Sequence, residues 1–212
     1  MEQIVLGLSG NDGSHDISHC RRVYGLAVMI AKKERCIADQ LILIAAAYRH
    51  DIVNSPKDSD LRSMASTVSA EQAGKILHDE KFPADKIPSV QHDIAAHSFS
   101  ANIEPKTLEA KIIQDADRIE ALGAIGLART FYVGGSMSRD LFDPFDPMAE
   151  RRPLDDSKYV VDHFQSKLLN LPKLMKTVEG RKIATDRARI LSQYLNQLLA
   201  ELAVGSGGPI GS

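Results

Sequence analysis

His50 and Asp51 stand side by side at the end of one of the most apolar stretches of the chain, Leu41-Ile42-Leu43-Ile44-Ala45-Ala46-Ala47-Tyr48. A carboxylate withdrawn from water is strongly disfavoured unless something positive and well placed compensates it. A divalent metal ion would do so, and imidazole and carboxylate are both good ligands for one. Two further candidates lie at intervals that allow a closed set: His19 upstream and Asp117 downstream. His19 precedes Val23 by four residues, beside the helically spaced stripe Cys20, Val23, Tyr24, Ala27, Ile30 and Ala31, so it can point inward. Asp115 is the rival of Asp117. It shares a stripe with Leu108, Ile112, Ile119 and Leu122, whereas Asp117 follows Ile113 by four positions, and periodicity alone leaves the choice open.

Neighbouring residues on a helix diverge by about 100°. His50 and Asp51 can therefore converge on one ion only if it sits off the helix end, near the following loop. Mixed nitrogen and oxygen ligation suits Mn²⁺, Fe²⁺, Ni²⁺, Zn²⁺ or Mg²⁺ with positions left for water. Such an ion would acidify a water toward neutral pH and polarise a phosphoryl oxygen. His15 and His19, four apart, could instead form a ligand pair on one helix face. The favoured reading of His15 is a surface histidine in the first turn.

The elements that must carry these residues read as helices. Asp12-Gly13-Ser14, with Asp16 in the first turn, marks the start of the His19 helix. The next helix starts at an Asp39 cap, runs to about residue 51 and is apolar all round, which predicts burial on every side. Asn54-Ser55-Pro56 ends it, with a loop to about residue 63. Further helices are predicted over residues 66–80, over 84–97 with Pro88 in the opening part, and over 107–122. Gly123-Ala124-Ile125-Gly126 permits a kink or a close backbone approach. Residues 134–153 read as a long irregular segment, either a lid or binding loop or a disordered stretch. Helices resume over 157–171 and 180–203, the last with the stripe Ile183, Arg187, Ile190, Tyr194, Leu198 and Leu202. The fold class is all-α, with one domain over residues 1–204 and a flexible tail over 205–212.

Composition sets the outer bounds. A chain of 212 residues can enclose a full core, and its 43% hydrophobic and 25% charged content are ordinary for a soluble globular protein. With aromatics at 5% and no Trp, the core must rest on Leu, Ile, Val and Ala. A net charge of -2 gives no support for nucleic-acid binding. The two cysteines, Cys20 and Cys36, suggest no disulfide framework, and no apolar run approaches a membrane span. The start of the chain lacks a signal peptide, so a cytoplasmic setting is expected. The helical surface permits a homodimer.

The residues now assembled resemble the HD superfamily of metal-dependent phosphohydrolases. The resemblance rests on His19 with Arg22-Val23, the His50-Asp51 doublet and Asp115-Ala116-Asp117-Arg118-Ile119. It is similar in particular to small bacterial HD hydrolases related to nucleotide pyrophosphatases. That match runs through residues 13–19, His97-Ser98-Phe99-Ser100, residues 117–126, and His163-Phe164 with Lys167-Leu168. Thr177 and Gly180-Arg181 with Ala184 and Arg187 extend it.

The resemblance implies an HD-domain helical bundle with His19, His50, Asp51 and Asp117 as metal ligands, which decides for Asp117 over Asp115. It implies a metal-dependent phosphohydrolase acting on a nucleotide and releasing pyrophosphate or phosphate. Asp51 would orient the attacking water. Lys167, His97, His92 and Arg22 are the candidate contacts to substrate phosphate. Two departures stand out: Glu120 where that branch more often has Asp, and Asn54 where some HD nucleotidases carry a catalytic Glu. Competing readings are a phosphodiesterase of the same superfamily and a ligand-sensing HD module without turnover.

Overall fold

A computed structural model of the chain describes residues 17–34, 37–53 and 63–205. The expected cap cluster at Asp12-Gly13-Ser14, His15, Asp16, Cys36, the Asn54-Ser55-Pro56 stop and residues 206–212 of the tail lie outside the described residues. The described residues form eight α-helices and one 3₁₀ helix, and among them no strand forms. No helix among the described residues is long and apolar enough to cross a membrane.

The chain forms two compact units. The first runs to Glu120 and takes in Met175–Gly180; the second holds Ala121–Leu174 and continues from Arg181. The first unit contains α1 (Ile17–Lys33), α2 (Gln40–Ala47), α3 (Ala65–Asp79), α4 (Ile87–His97) and α5 (Leu108–Ile119). The second contains α6 (Gly123–Ser136), α7 (Asp162–Ser166), the 3₁₀ helix Leu168–Leu174 and most of α8 (Val178–Gly205).

In the first unit, α2 packs on α1, α4 and α5, which accounts for its apolar surface on every side. Its Asp39 cap accepts from the backbone N–H groups of Leu41 (2.9 Å) and Ile42 (3.3 Å). The same carboxylate pairs with Lys86, and the Asp39 backbone N–H donates to Glu109 Oε1 at 2.9 Å. One cap residue thus ties the start of α2 to the approaches of α4 and α5. The core of this unit is Val23, Ala27 and Ile30 of α1, Leu43 and Ala45 of α2, Ile94 of α4, and Ile112, Ile113 and Ile119 of α5, all buried.

α2 stops at Ala47, four residues before the predicted end. Arg49 N–H bonds Ala46 O at 3.1 Å, a tighter closure than the α-helical one, and residues 48–51 form a turn. α4 begins three residues later than predicted, at Ile87, with Pro88 in the first turn, where a missing N–H leaves nothing unpaired. α5 starts at a Thr107 cap, whose Oγ1 accepts from Ala110 N–H at 3.0 Å and donates to Asp93 Oδ1 at 3.0 Å. Asp115 is buried in this unit. It accepts from the backbone N–H groups of Lys176 (2.8 Å) and Thr177 (2.8 Å) and from Thr177 Oγ1 (2.7 Å). That satisfies donors at the entrance to α8, and a Cβ on Gly180 would overlap Asp115 Oδ2 there.

In the second unit the predicted kink at residues 123–126 is a helix start, with Gly123 in the left-handed region (φ 73°). The predicted irregular segment begins later than residue 134, because α6 runs on through Ser136. Gly134 lies within α6, where a Cβ would overlap Val160 Cγ2, so the glycine serves close approach. The expected helix over 157–171 is replaced by the short α7 and the 3₁₀ helix. Backbone bonds between Asp140 and Lys158–Val160 draw residues 158–160 into an isolated bridge instead. Asp162, buried, takes a two-pronged bond from Arg152 (2.5 and 2.8 Å) and the N–H of Asp155 (2.7 Å), so the segment ahead of α7 is bonded in place. In α8 the buried stripe is Ala184, Ala188, Leu191 and Leu195, displaced from the predicted one; Ile190 is 40% exposed. Tyr194 still packs with Phe131 and Phe164.

Candidate metal centre

The turn after α2 decides where His50 points. Just past the end of the helix, His50 Nδ1 donates to the Ala47 carbonyl at 2.8 Å. The bond fixes the tautomer and turns Nε2, with its lone pair, away from the backbone. His97, the last residue of α4, repeats the arrangement: its Nδ1 donates to Ile94 O at 2.6 Å. His19 comes from the buried face of α1 and Asp117 from the last turn of α5.

These side chains meet. His19 Nε2 lies 3.1 Å from His50 Nε2 and 3.4 Å from Asp117 Oδ1. His50 Nε2 lies 3.8 Å from Asp117 Oδ1 and 3.4 Å from Asp51 Oδ2. Asp51 Oδ1 in turn lies 3.4 Å from His97 Nε2. Two overlapping groups result, His19-His50-Asp117 and His50-Asp51-His97, each with its donor atoms within 4.8 Å of one another. His50 belongs to both. The three imidazoles are buried, whereas the Asp51 and Asp117 side chains are 25% and 26% exposed, so the carboxylates form the open side of the cluster.

The electrostatics agree with a cation site. Burial pushes the His50 pKa down to about 4, which keeps its ring neutral and its lone pair available at pH 7. Burial also works to raise the carboxyl of Asp117, but the His19 ring at 3.4 Å and the surrounding imidazoles outweigh it and hold the group well below the usual carboxylate range. His97 goes the other way: burial opposes its charge, yet the hydrogen bond and charge of Asp51 raise its pKa. Neutral imidazole nitrogens and ionised carboxylate oxygens crowded this closely, with two tautomers fixed by backbone carbonyls, are a donor set that fits a divalent first-row ion.

The other predicted residues fall elsewhere. His92 Nε2 accepts from the backbone N–H of Lys106 at 3.0 Å, tying the α4–α5 connection, and is not part of either group. Arg22 Nε donates to Glu120 Oε2 at 2.6 Å, and its Nη1 donates to Ser18 Oγ at 3.0 Å. Lys167 belongs to the second unit, half-buried at the residue that caps α7. His163 of that unit bonds Asp156 Oδ2 at 2.8 Å. Glu120 is the residue whose place the sequence reasoning left undetermined. It is fully buried, and its Oε2 lies 3.6 Å from His19 Nδ1. Burial would raise its pKa, but the nearby His19 ring and the hydrogen bond and charge of Arg22 prevail and bring it to about 2. The signal was present: Glu120 follows Asp117 by three and Arg22 follows His19 by three, spacing that stacks each pair on one helix face.

Comparison with known proteins identifies the family. The family model described as HD domain matches residues 16–122, which contain His19, His50, Asp51, His97 and Asp117. YpgQ of Bacillus subtilis, an uncharacterized protein, is 32% identical over 195 residues, covering 90% of this chain and 86% of its own. A crystal structure of YpgQ in complex with ADP superposes with a TM-score of 0.72 at 30% identity, over 94% of each chain. An HD-superfamily hydrolase from Bacillus thuringiensis gives a TM-score of 0.71 at 29% identity, covering 94% of this chain and 93% of that one. The chain belongs to the HD domain family, and with it to the metal-dependent phosphohydrolases of the HD superfamily.

Proposed function

We propose that the protein hydrolyses a nucleotide, releasing pyrophosphate or phosphate from a nucleoside triphosphate, with His19, His50, Asp51 and Asp117 holding one divalent ion. The observation that carries this reading is the sharing of His50 between two donor groups whose exposed members are both carboxylates. The ion would supply Lewis acidity, lowering the pKa of a water and polarising a phosphoryl oxygen. The chain's own groups do the rest. Asp51, open to solvent and flanked by His50 and His97, orients the attacking water and takes its proton. His97, whose charged form Asp51 favours, offers positive charge to the phosphate oxygens. The nucleotide is supported by YpgQ, which was crystallised in complex with ADP. Among the candidate ions Mn²⁺, Fe²⁺, Ni²⁺, Zn²⁺ and Mg²⁺, the mixed donor set with the imidazoles of His19 and His50 favours a transition ion over Mg²⁺.

The test is direct. Purified protein is incubated with each ion and a panel of nucleoside triphosphates, and pyrophosphate and phosphate are assayed separately. Turnover is expected with a transition ion and is expected to vanish in His50→Ala. Absence of turnover with every ion and nucleotide would turn the reading toward a ligand-sensing module. Turnover confined to phosphodiesters would turn it toward a phosphodiesterase.

A further inference from the structure

Around the cluster, two of the three imidazoles have the same support: a backbone carbonyl three residues back accepts from Nδ1, as Ala47 O does for His50 and Ile94 O for His97. His19 is served differently. The group facing its Nδ1 is the carboxylate of Glu120, with Oε2 at 3.6 Å. Glu120 is fully buried, and the same Oε2 accepts from Arg22 Nε at 2.6 Å. Arg22 is anchored in turn by Ser18 Oγ at 3.0 Å.

The geometry follows from two helices and one spacing. α1 and α5 pack against each other. His19 and Arg22 are one turn apart on α1, and Asp117 and Glu120 are one turn apart along α5 and its cap. The pair His19–Asp117 therefore has the pair Arg22–Glu120 stacked behind it. A buried carboxylate placed behind an imidazole fixes the ring's tautomer and orientation and raises its basicity at the opposite nitrogen. That opposite nitrogen is His19 Nε2, the atom that faces Asp117 and His50.

We propose that Glu120, held by Arg22, is a positioning residue for His19: it keeps the proton on Nδ1 and presents Nε2 to the ion. This rests on the reading of the cluster as a metal centre. Arg22 then acts through Glu120 and supplies the charge that keeps the carboxylate ionised out of water. An ion pair serving stability alone would need no imidazole at its back.

Titration of the metal-free protein with Co²⁺, followed by visible absorption, gives both an affinity and a band position that reports ligand geometry. Glu120→Gln keeps the shape and removes the charge. It is expected to weaken Co²⁺ binding by about 10- to 100-fold and to shift the band, while Glu120→Asp restores most of the affinity. Should Glu120→Gln fail to fold with Arg22 left unpaired, the double variant Arg22→Met/Glu120→Gln leaves no buried charge and is expected to show the same weakening. Wild-type affinity and band position in the folded variant overturn the inference, even if its melting temperature falls. A wild-type protein that takes up no Co²⁺ overturns the metal reading itself, and this inference with it.

Discussion

Asp93 on α4 has no exposed surface, and among the described residues its Oδ2 has no hydrogen-bond partner. Burial lifts its pKa to about 8, against the smaller opposing effect of the Thr107 hydroxyl. The folded chain therefore holds a proton here that the unfolded chain releases near its ordinary value of 3.8. More protons bound in the folded state means that stability is full below that value and falls as pH rises toward 8. Thermal melts from pH 5 to pH 8 should show this decline, and Asp93→Asn should flatten it; an unchanged slope in the variant would remove Asp93 as its source. His50 carries a second expectation. Because both donor groups depend on it, His50→Ala should weaken metal binding by more than the roughly 100-fold that loss of an outer partner produces, read by calorimetric titration.

Among the helices, small residues and caps matter more than long apolar stripes. Gly134→Ala in α6 forces a methyl into Val160 and is expected to destabilise by about 1–3 kcal/mol in chemical denaturation. Thr107→Ala removes both the cap on Ala110 and the bond to Asp93, and should cost about 1–2 kcal/mol. The same logic explains where the sequence reading of elements went astray. In α8 the larger side chains carry the periodicity, but the buried stripe runs through Ala184 and Ala188. Small side chains lie where packing is tightest, yet they weigh little in a periodicity count. Residues 157–171 carry a helical pattern, but the Asp140 bridge and the Arg152–Asp162 pair override that local preference.

For the protein in solution, an ion that binds the folded cluster and not the scattered ligands of the open chain must stabilise folding by mass action. At an ion concentration near 100 times its dissociation constant the gain is about 2.7 kcal/mol. Chelation should therefore lower the melting temperature and re-addition of the ion restore it. His50→Ala should melt at the same temperature with and without the ion. A wild-type melting curve indifferent to both treatments would speak against a metal held by this cluster.

Much of this could be read before any coordinates. Helical periodicity, the Asp39 cap and the isolated His50-Asp51 pair are local features, and local features survive in the order of residues. They were enough for an all-α chain, for most helix positions in the first unit, and for the four proposed ligands, once the resemblance separated Asp117 from Asp115. What the linear order could not supply was contact between distant residues. Only folding shows that α2 ends at Ala47 so that His50 can turn back on its carbonyl. Only folding shows that Asp115 serves the entrance to α8, that His97 joins the cluster through Asp51, and that Glu120 lies behind His19. Those relations depend on how helices far apart in the chain pack, and packing is a property of the assembled core that no single stretch of sequence carries.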